Sequence, residues 1–332
     1  MTEPMMLVYT TIIIAFIFTF LNGFHDASNA IATIVSTRVL KPYQAVLWSS
    51  LFNFLAFFVF GLHVANMVGT GIVSPEIVDT GFIFSALIGA IIWNIITWYF
   101  GIPSSSSHAL IGGLVGAALM KSGTHYLEYA GLIKVIVSIV LSPILGLILS
   151  MTLMFIIVRI FFHHSPTHVD RVSRGLQLLS SALLSLGHGG NDAQKTMGII
   201  AVLLFSSHLL TGHFYIPLWV VISCYGVMAL GTMMGGYRIV RTMGMKITKL
   251  KPVGGCSAET GSALTLFLAT ILGIPVSTTH IVAGSIVGVG SFQRFSAVRW
   301  GVASQIVWAW ILTLPASALV AALVEAVAMR VF

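Results

Sequence analysis

Hydrophobic positions in this chain form long continuous blocks rather than a short alternation. The stretches 5–21, 82–98, 133–158 and 303–324 each approach or exceed the roughly 20 residues that cross a hydrocarbon core. Five apolar elements can be drawn in each half, over about 5–37, 43–67, 81–101, 104–121 and 130–158, then about 175–207, 216–236, 256–273, 276–292 and 300–328. The pattern predicts an all-α polytopic membrane protein.

The polar interruptions repeat. Gly101-Ile-Pro-Ser-Ser-Ser-Ser-His108 returns 172 residues later as Gly273-Ile-Pro-Val-Ser-Thr-Thr-His280, and Gly112, Gly116 and Pro143 match Gly284, Gly288 and Pro315 in the same register. A weaker pair, Gly23-Phe-His-Asp26-Ala-Ser-Asn29 and Gly190-Asn-Asp192-Ala-Gln-Lys195, is offset by 166. An odd number of elements per half sends the second copy through the bilayer in the opposite direction, so two inverted-topology repeats are expected. The domain reading is a first repeat over 1–160, a short cytoplasmic linker over 161–174, and a second repeat over 175–332. The linker carries His163, His164 and His168, read as a solvated cluster beside the Ser165-Pro166 turn.

Charge supplies an orientation. With the N-terminus outside, Arg38, Lys41, Arg159, Arg171, Arg174, Arg238, Arg241, Lys246, Lys249, Lys251, Arg294 and Arg299 all fall inside. Lys121 and Arg330 fall outside, with Glu3, Glu76 and Asp79, and the C-terminus also ends outside. The net charge of +7 therefore marks a membrane face and gives no reason to expect nucleic acid. With 57% hydrophobic and 8% charged residues, the soluble class is excluded. The N-terminal apolar run lacks a basic leader and reads as a retained first span. Cys224 and Cys256 have no metal or redox spacing and read as packing residues.

The first element of each half, about 33 residues or roughly 50 Å of helix, is too long for one straight span, and a break is expected at residues 22–26 and 187–192. The Gly-Ile-Pro segments are either re-entrant hairpin tips or turns between full spans, and loop charge is the same for both. Each leads into a helix whose first turn carries hydroxyls: Ser105, Ser106 and Ser107, or Ser277, Thr278 and Thr279. A helix N-terminus with hydroxyl donors suits an oxyanion. Asp26 and Asp192 are costly in a membrane, by about 3 kcal/mol each, and their duplication points to a shared site. Two carboxylates and Lys195 repel an anion unless cations enter as well, which is a basis for coupling by protons, Na⁺ or a divalent metal carried with the anion. A protonated phosphate also donates hydrogen bonds to a carboxylate, which sulfate at neutral pH does not. His108 and His280 are candidate proton relays, and Glu259 is a further coupling candidate whose counterpart region holds Asn53 or Asn94.

These motifs, with Asn22-Gly-Phe-His-Asp-Ala-Ser-Asn-Ala30, Ser185-Leu-Gly-His-Gly-Gly-Asn-Asp-Ala-Gln-Lys195 and the closing 308–315 segment, resemble the PiT family of inorganic phosphate transporters over essentially the whole chain. The wording is most similar to the bacterial low-affinity branch. The resemblance implies secondary, proton-coupled uptake of phosphate across the cell (inner) membrane by alternating access, with phosphate able to travel as a divalent metal complex. It implies a binding core of Asp26, Asn29 and Asp192 with the two hydroxyl clusters, to which Gln194 and Lys195 are added as neighbours. Sodium-coupled members carry a glutamate where this chain has Asn53, while Glu259 matches their second. A homodimer is implied by the family alone. No enzymatic cofactor and no resident metal are expected. An intramembrane hydrolase is disfavoured, since Ser107 and His108 are adjacent and point apart on a helix. A passive channel has no need of two carboxylates, and sulfate or arsenate are the competing anions.

Overall fold

The computed structural model describes residues 5–331; Glu3, counted above with the outer acidic residues, lies outside them. Twelve α-helices form among the described residues: α1 (Met5–Ser36), α2 (Pro42–Leu55), α3 (His63–Thr70), α4 (Thr80–Phe100), α5 (Ser106–Ser122), α6 (Tyr129–Ile160), α7 (Pro166–Ser206), α8 (Leu218–Met234), α9 (Tyr237–Arg241), α10 (Pro252–Ile271), α11 (Thr278–Gln293) and α12 (Trp300–Val331). In a bilayer the backbone must bond within itself, so an apolar chain of this kind resolves into helices throughout. The two halves follow one order. α1 corresponds to α7, α2 with α3 to α8 with α9, α4 to α10, α5 to α11, and α6 to α12.

The expected break falls in a different element. α1 and α7 are continuous helices of 32 and 41 residues, with Asp26 and Asp192 in uninterrupted helical turns. The glycines beside them serve close packing instead. A β-carbon at Gly23 would strike the Met228 carbonyl, one at Gly189 the Asn53 backbone, and one at Gly190 the Phe60 ring. The bends lie in the second element of each half, 83° between α2 and α3 and 61° between α8 and the α9 segment. At the latter, Gly235 supplies a φ of +63°. The excess length of α7 is spent at its start: Pro166 sits in its first turn and Ser165 caps it, so most of the expected linker is already helix.

The Gly-Ile-Pro segments are re-entrant tips. Gly101 and Gly273, at φ +65° and +68°, end α4 and α10 in the left-handed conformation, and the chain turns back into α5 and α11. The two tips touch each other: Ser107 Oγ donates to the Val276 carbonyl at 3.2 Å and Thr279 Oγ1 to the Ser104 carbonyl at 3.0 Å. Turns between full spans of inverted repeats would end on opposite faces, about 30 Å apart. Contact at hydrogen-bond distance requires both to stop inside the protein.

The repeats interlock. α5 packs against α12 and α11 against α6, so each hairpin's returning arm leans on the closing helix of the other repeat. The paired glycines make this possible: Gly112 lies under the Leu314 carbonyl and Ser317, and Gly284 under the Pro143 carbonyl. Four helices are long and apolar enough to cross a membrane on their own, α1, α4, α6 and α12, and each bent pair makes a further candidate span.

Candidate functional site between the hairpin tips

Two continuous helices present the same face to the tips. On α1 the positions are Asn22, His25, Asp26 and Asn29; on α7, each 166 residues later, they are His188, Asn191, Asp192 and Lys195. Spacing of three and four places each set along one helix face. All eight are no more than 2% exposed.

Around Asp26, Ser106 Oγ donates to the carboxylate and stands 2.8 Å from Asn22 Oδ1. His25 Nδ1 stands 3.1 Å from Asp26 Oδ1, and its other nitrogen 3.2 Å from Thr97 Oγ1. From the opposite hairpin, Thr279 Oγ1 reaches Asp26 Oδ1 at 3.3 Å. Asn29 Nδ2 donates to Thr278 Oγ1 at 3.0 Å and to Thr279 Oγ1 at 2.9 Å. Around Asp192, Thr278 Oγ1 donates at 3.1 Å, His188 Nε2 lies 3.3 Å away, and Lys195 Nζ forms an ion pair. Lys195 also donates to Ser107 Oγ and, at 3.0 Å, to the Val276 carbonyl. Each hairpin tip therefore bonds to the long helices of both repeats. Ligand atoms of Asp26, His188 and Asp192 lie within 4.8 Å of one another, two carboxylates and an imidazole that together suit a divalent cation.

The remaining expected residues take other places. Ser105 and Ser277 are N-caps whose hydroxyls accept from the His108 and His280 amides at 3.1 and 3.2 Å. Gln194 turns away from the cluster, its Oε1 accepting from the Val64 and Ala65 amides at the start of α3. His108 and His280 meet edge to face, centroids 4.7 Å apart, behind the tips, and Trp310 stacks on His280 at 3.9 Å. Asn53 Oδ1 lies 3.2 Å from His188 Nδ1 and its amide donates to Thr232 Oγ1 at 2.9 Å, which links it to Asp192 through the imidazole. Glu259 lies in a separate buried cluster, accepting from Thr33 and Ser180 at 2.6 Å each and from Gln177 at 2.9 Å.

Sequence reasoning placed Asn22, His25 and His188 in expected backbone breaks and gave them no part in the site. The signal was present: His188 is four residues before Asp192 and Asn22 four before Asp26, a shared helix face. Expecting a backbone break at these residues concealed it.

The phosphate transporter family model matches residues 22–321, which include both long-helix motifs and both tips. The chain belongs to that family. Its members are transporters, not enzymes. A Rhizobium meliloti (strain 1021) protein described as a "Probable low-affinity inorganic phosphate transporter" is 61% identical over 94% of this chain and 93% of its own length. A Bacillus subtilis (strain 168) protein with the same description is 44% identical over 94% of each. Among solved structures, one described as "The sodium-dependent phosphate transporter" superposes with a TM-score of 0.87 at 26% identity, covering 98% of this chain and 100% of its own.

Proposed function

We propose that this family member imports inorganic phosphate by alternating access, with protons as the coupling ion. The observation that carries the reading is the double engagement of the hairpin tips. Ser106 and Ser107 from one tip, and Thr278 and Thr279 from the other, hold groups of both repeats. Withdrawing either hairpin would open the same cluster to one membrane face while the other hairpin still closes the opposite face. In this reading Asp26, Asn29, Ser106, Ser107, Asp192, Lys195, Thr278 and Thr279 enclose phosphate, and Ser105, Ser277 and Gln194 hold the elements that present them.

Hydroxyl and amide donors with one ammonium group match phosphate oxygens, and a protonated phosphate can donate back to a carboxylate. Because Asp26 and Asp192 outweigh Lys195, a cation must accompany the anion. Protons on Asp26 meet that need, with His108, His280 and Glu259 as relay or secondary sites. The grouping of Asp26, His188 and Asp192 also fits a divalent metal arriving as phosphate's partner. Sodium is the second reading, favoured by the likeness to a structure described as sodium-dependent and weakened by Asn53. The proposal includes two repeats over 1–160 and 175–332 joined by 161–174, a cell inner membrane location with both termini outside, and a homodimer on family grounds.

Radiolabelled phosphate uptake into proteoliposomes tests this, with proton and sodium gradients imposed separately, with and without Mg²⁺. Proton-driven accumulation is expected. Accumulation with sodium alone would replace the coupling ion, and none under any gradient in folded protein would overturn the substrate.

A further inference from the structure

The inverted repeats create the same space twice, once near each membrane face, between the end of the first helix and the bent second element. Near the outer face, α7 crosses α3 where Gly198 meets Ala65 and Gly69. Near the basic face, α1 crosses the α9 segment where Gly244 meets Ala32, the residue 166 before Gly198. Both first helices end alike. Arg38 and His208 are the positive-φ non-glycine residues among those described, at +59° and +57°. In each case the next amide reaches back to close the helix, Val39 to the Ile34 carbonyl at 3.1 Å and Leu209 to the Leu204 carbonyl at 2.9 Å.

The two spaces are filled differently. The outer connection, residues 207–217, folds back so that Phe214 packs over Gly69 and against Phe205, centroids 5.9 Å apart. The inner connection, 37–41, is too short to do so, and a cavity of about 640 Å³ remains. Its lining combines Arg38, Lys41, Gln44 and Ser36 with the apolar side chains of Val39 and Met245 among others, and holds no carboxylate. Glycine is the usual residue at a left-handed helix end, since a β-carbon there costs about 1 kcal/mol. Arg38 holds that strained position, and its carbonyl is fixed by Arg174 Nη1 at 3.2 Å. Arg38 and Lys41, both exposed, thus line one amphipathic cavity on the basic face.

We propose that this cavity binds the phosphate of an anionic phospholipid from the adjoining leaflet, Arg38 and Lys41 gripping the headgroup and the apolar wall taking the glycerol and upper acyl chains. Guanidinium and ammonium groups both recognise a phosphate oxygen. Free phosphate shares that chemistry but has no use for the apolar wall. The proposal is independent of the transport reading.

Native mass spectrometry of the detergent-purified full chain tests it, with phosphatidylglycerol, phosphatidylcholine or inorganic phosphate added separately. Arg38→Gly suits the backbone at that position, so the double variant Arg38→Gly/Lys41→Gln is expected to fold and to retain at least tenfold less phosphatidylglycerol than the wild type. Lys41→Gln alone, at an exposed residue, is expected to lower retention about threefold. Equal retention by wild type and double variant overturns the site. So does equal retention of phosphatidylcholine, and so does inorganic phosphate bound through Arg38 and Lys41 without lipid, which would make the cavity a vestibule for the free anion.

Discussion

The two long-helix faces at the site share a backbone plan and differ in charge. Asn22 and His25 on α1 become His188 and Asn191 on α7, exchanging amide and imidazole, while Asn29 becomes Lys195. Geometry is kept: one hydroxyl from the same repeat's hairpin reaches each carboxylate, Ser106 to Asp26 and Thr278 to Asp192. The groups that reach the opposite tip correspond too, Lys195 to Ser107 and Asn29 to Thr279. Asp192 is paired with an ammonium group, whereas Asp26 faces two hydroxyls and an imidazole. Position is therefore a demand of the symmetric frame, and charge is where the halves divide their work. The carboxylate without an ammonium partner lies in the first repeat, which is where the proposed coupling cation would bind.

The sharpest way to break this comparison is to neutralise each carboxylate in turn. Asp192→Asn is expected to lower phosphate uptake more than about 100-fold and, by stranding the buried Lys195 ammonium, to cost about 3–5 kcal/mol of stability, read from uptake at equal expression and from thermal unfolding in detergent. Asp26→Asn is expected to lose gradient-driven uptake to a similar degree with a stability change within about 1 kcal/mol, since Ser106 can still donate to an amide oxygen. Equal destabilisation by both would end the claim that the halves differ in charge balance.

Where the halves are alike, equal effects are expected. Gly112→Ala and Gly284→Ala each press a methyl group into the closing helix of the other repeat and should each cost about 1–3 kcal/mol, measured as matched falls in unfolding temperature. A large effect at one and none at the other would mean the interlock is lopsided. The smallest effect is expected from Asn53→Glu, which adds a carboxylate beside His188: a few-fold stimulation of uptake by sodium, with proton-driven uptake retained.

Most of the helical frame and the inverted order could be read from apolar block lengths and the repeated Gly-Ile-Pro motif, because bilayer thickness and backbone satisfaction leave few alternatives. The chemistry of the tips was legible for the same reason, hydroxyls being conspicuous at an apolar helix start. The breaks were misplaced because glycine has two uses that composition does not separate. At Gly23 and Gly189 it lets another helix approach, and at Gly235 it turns the chain. Gln194 was grouped with the site by adjacency, yet two residues beyond Asp192 on a helix is roughly the opposite face. The partners of Glu259 come from α1 and α7, and no local pattern brings Thr33, Gln177 and Ser180 together.

The crossed seating of the hairpins has a consequence for how the protein is made. α5 emerges early in synthesis, yet the surface that covers Gly112 and Gly116 belongs to α12, at the far end of the chain. Until α12 is released, the first hairpin must wait in the bilayer with the glycine face of α5 uncovered, although Ser106 at its tip can already meet Asp26 on α1. Assembly of the core is thus a late event that ties the first hairpin to the last helix. A ribosome that stops before residue 300 would leave a product inserted in the membrane with both tips made but with the glycine face of α5 bare, a natural mark for membrane proteases.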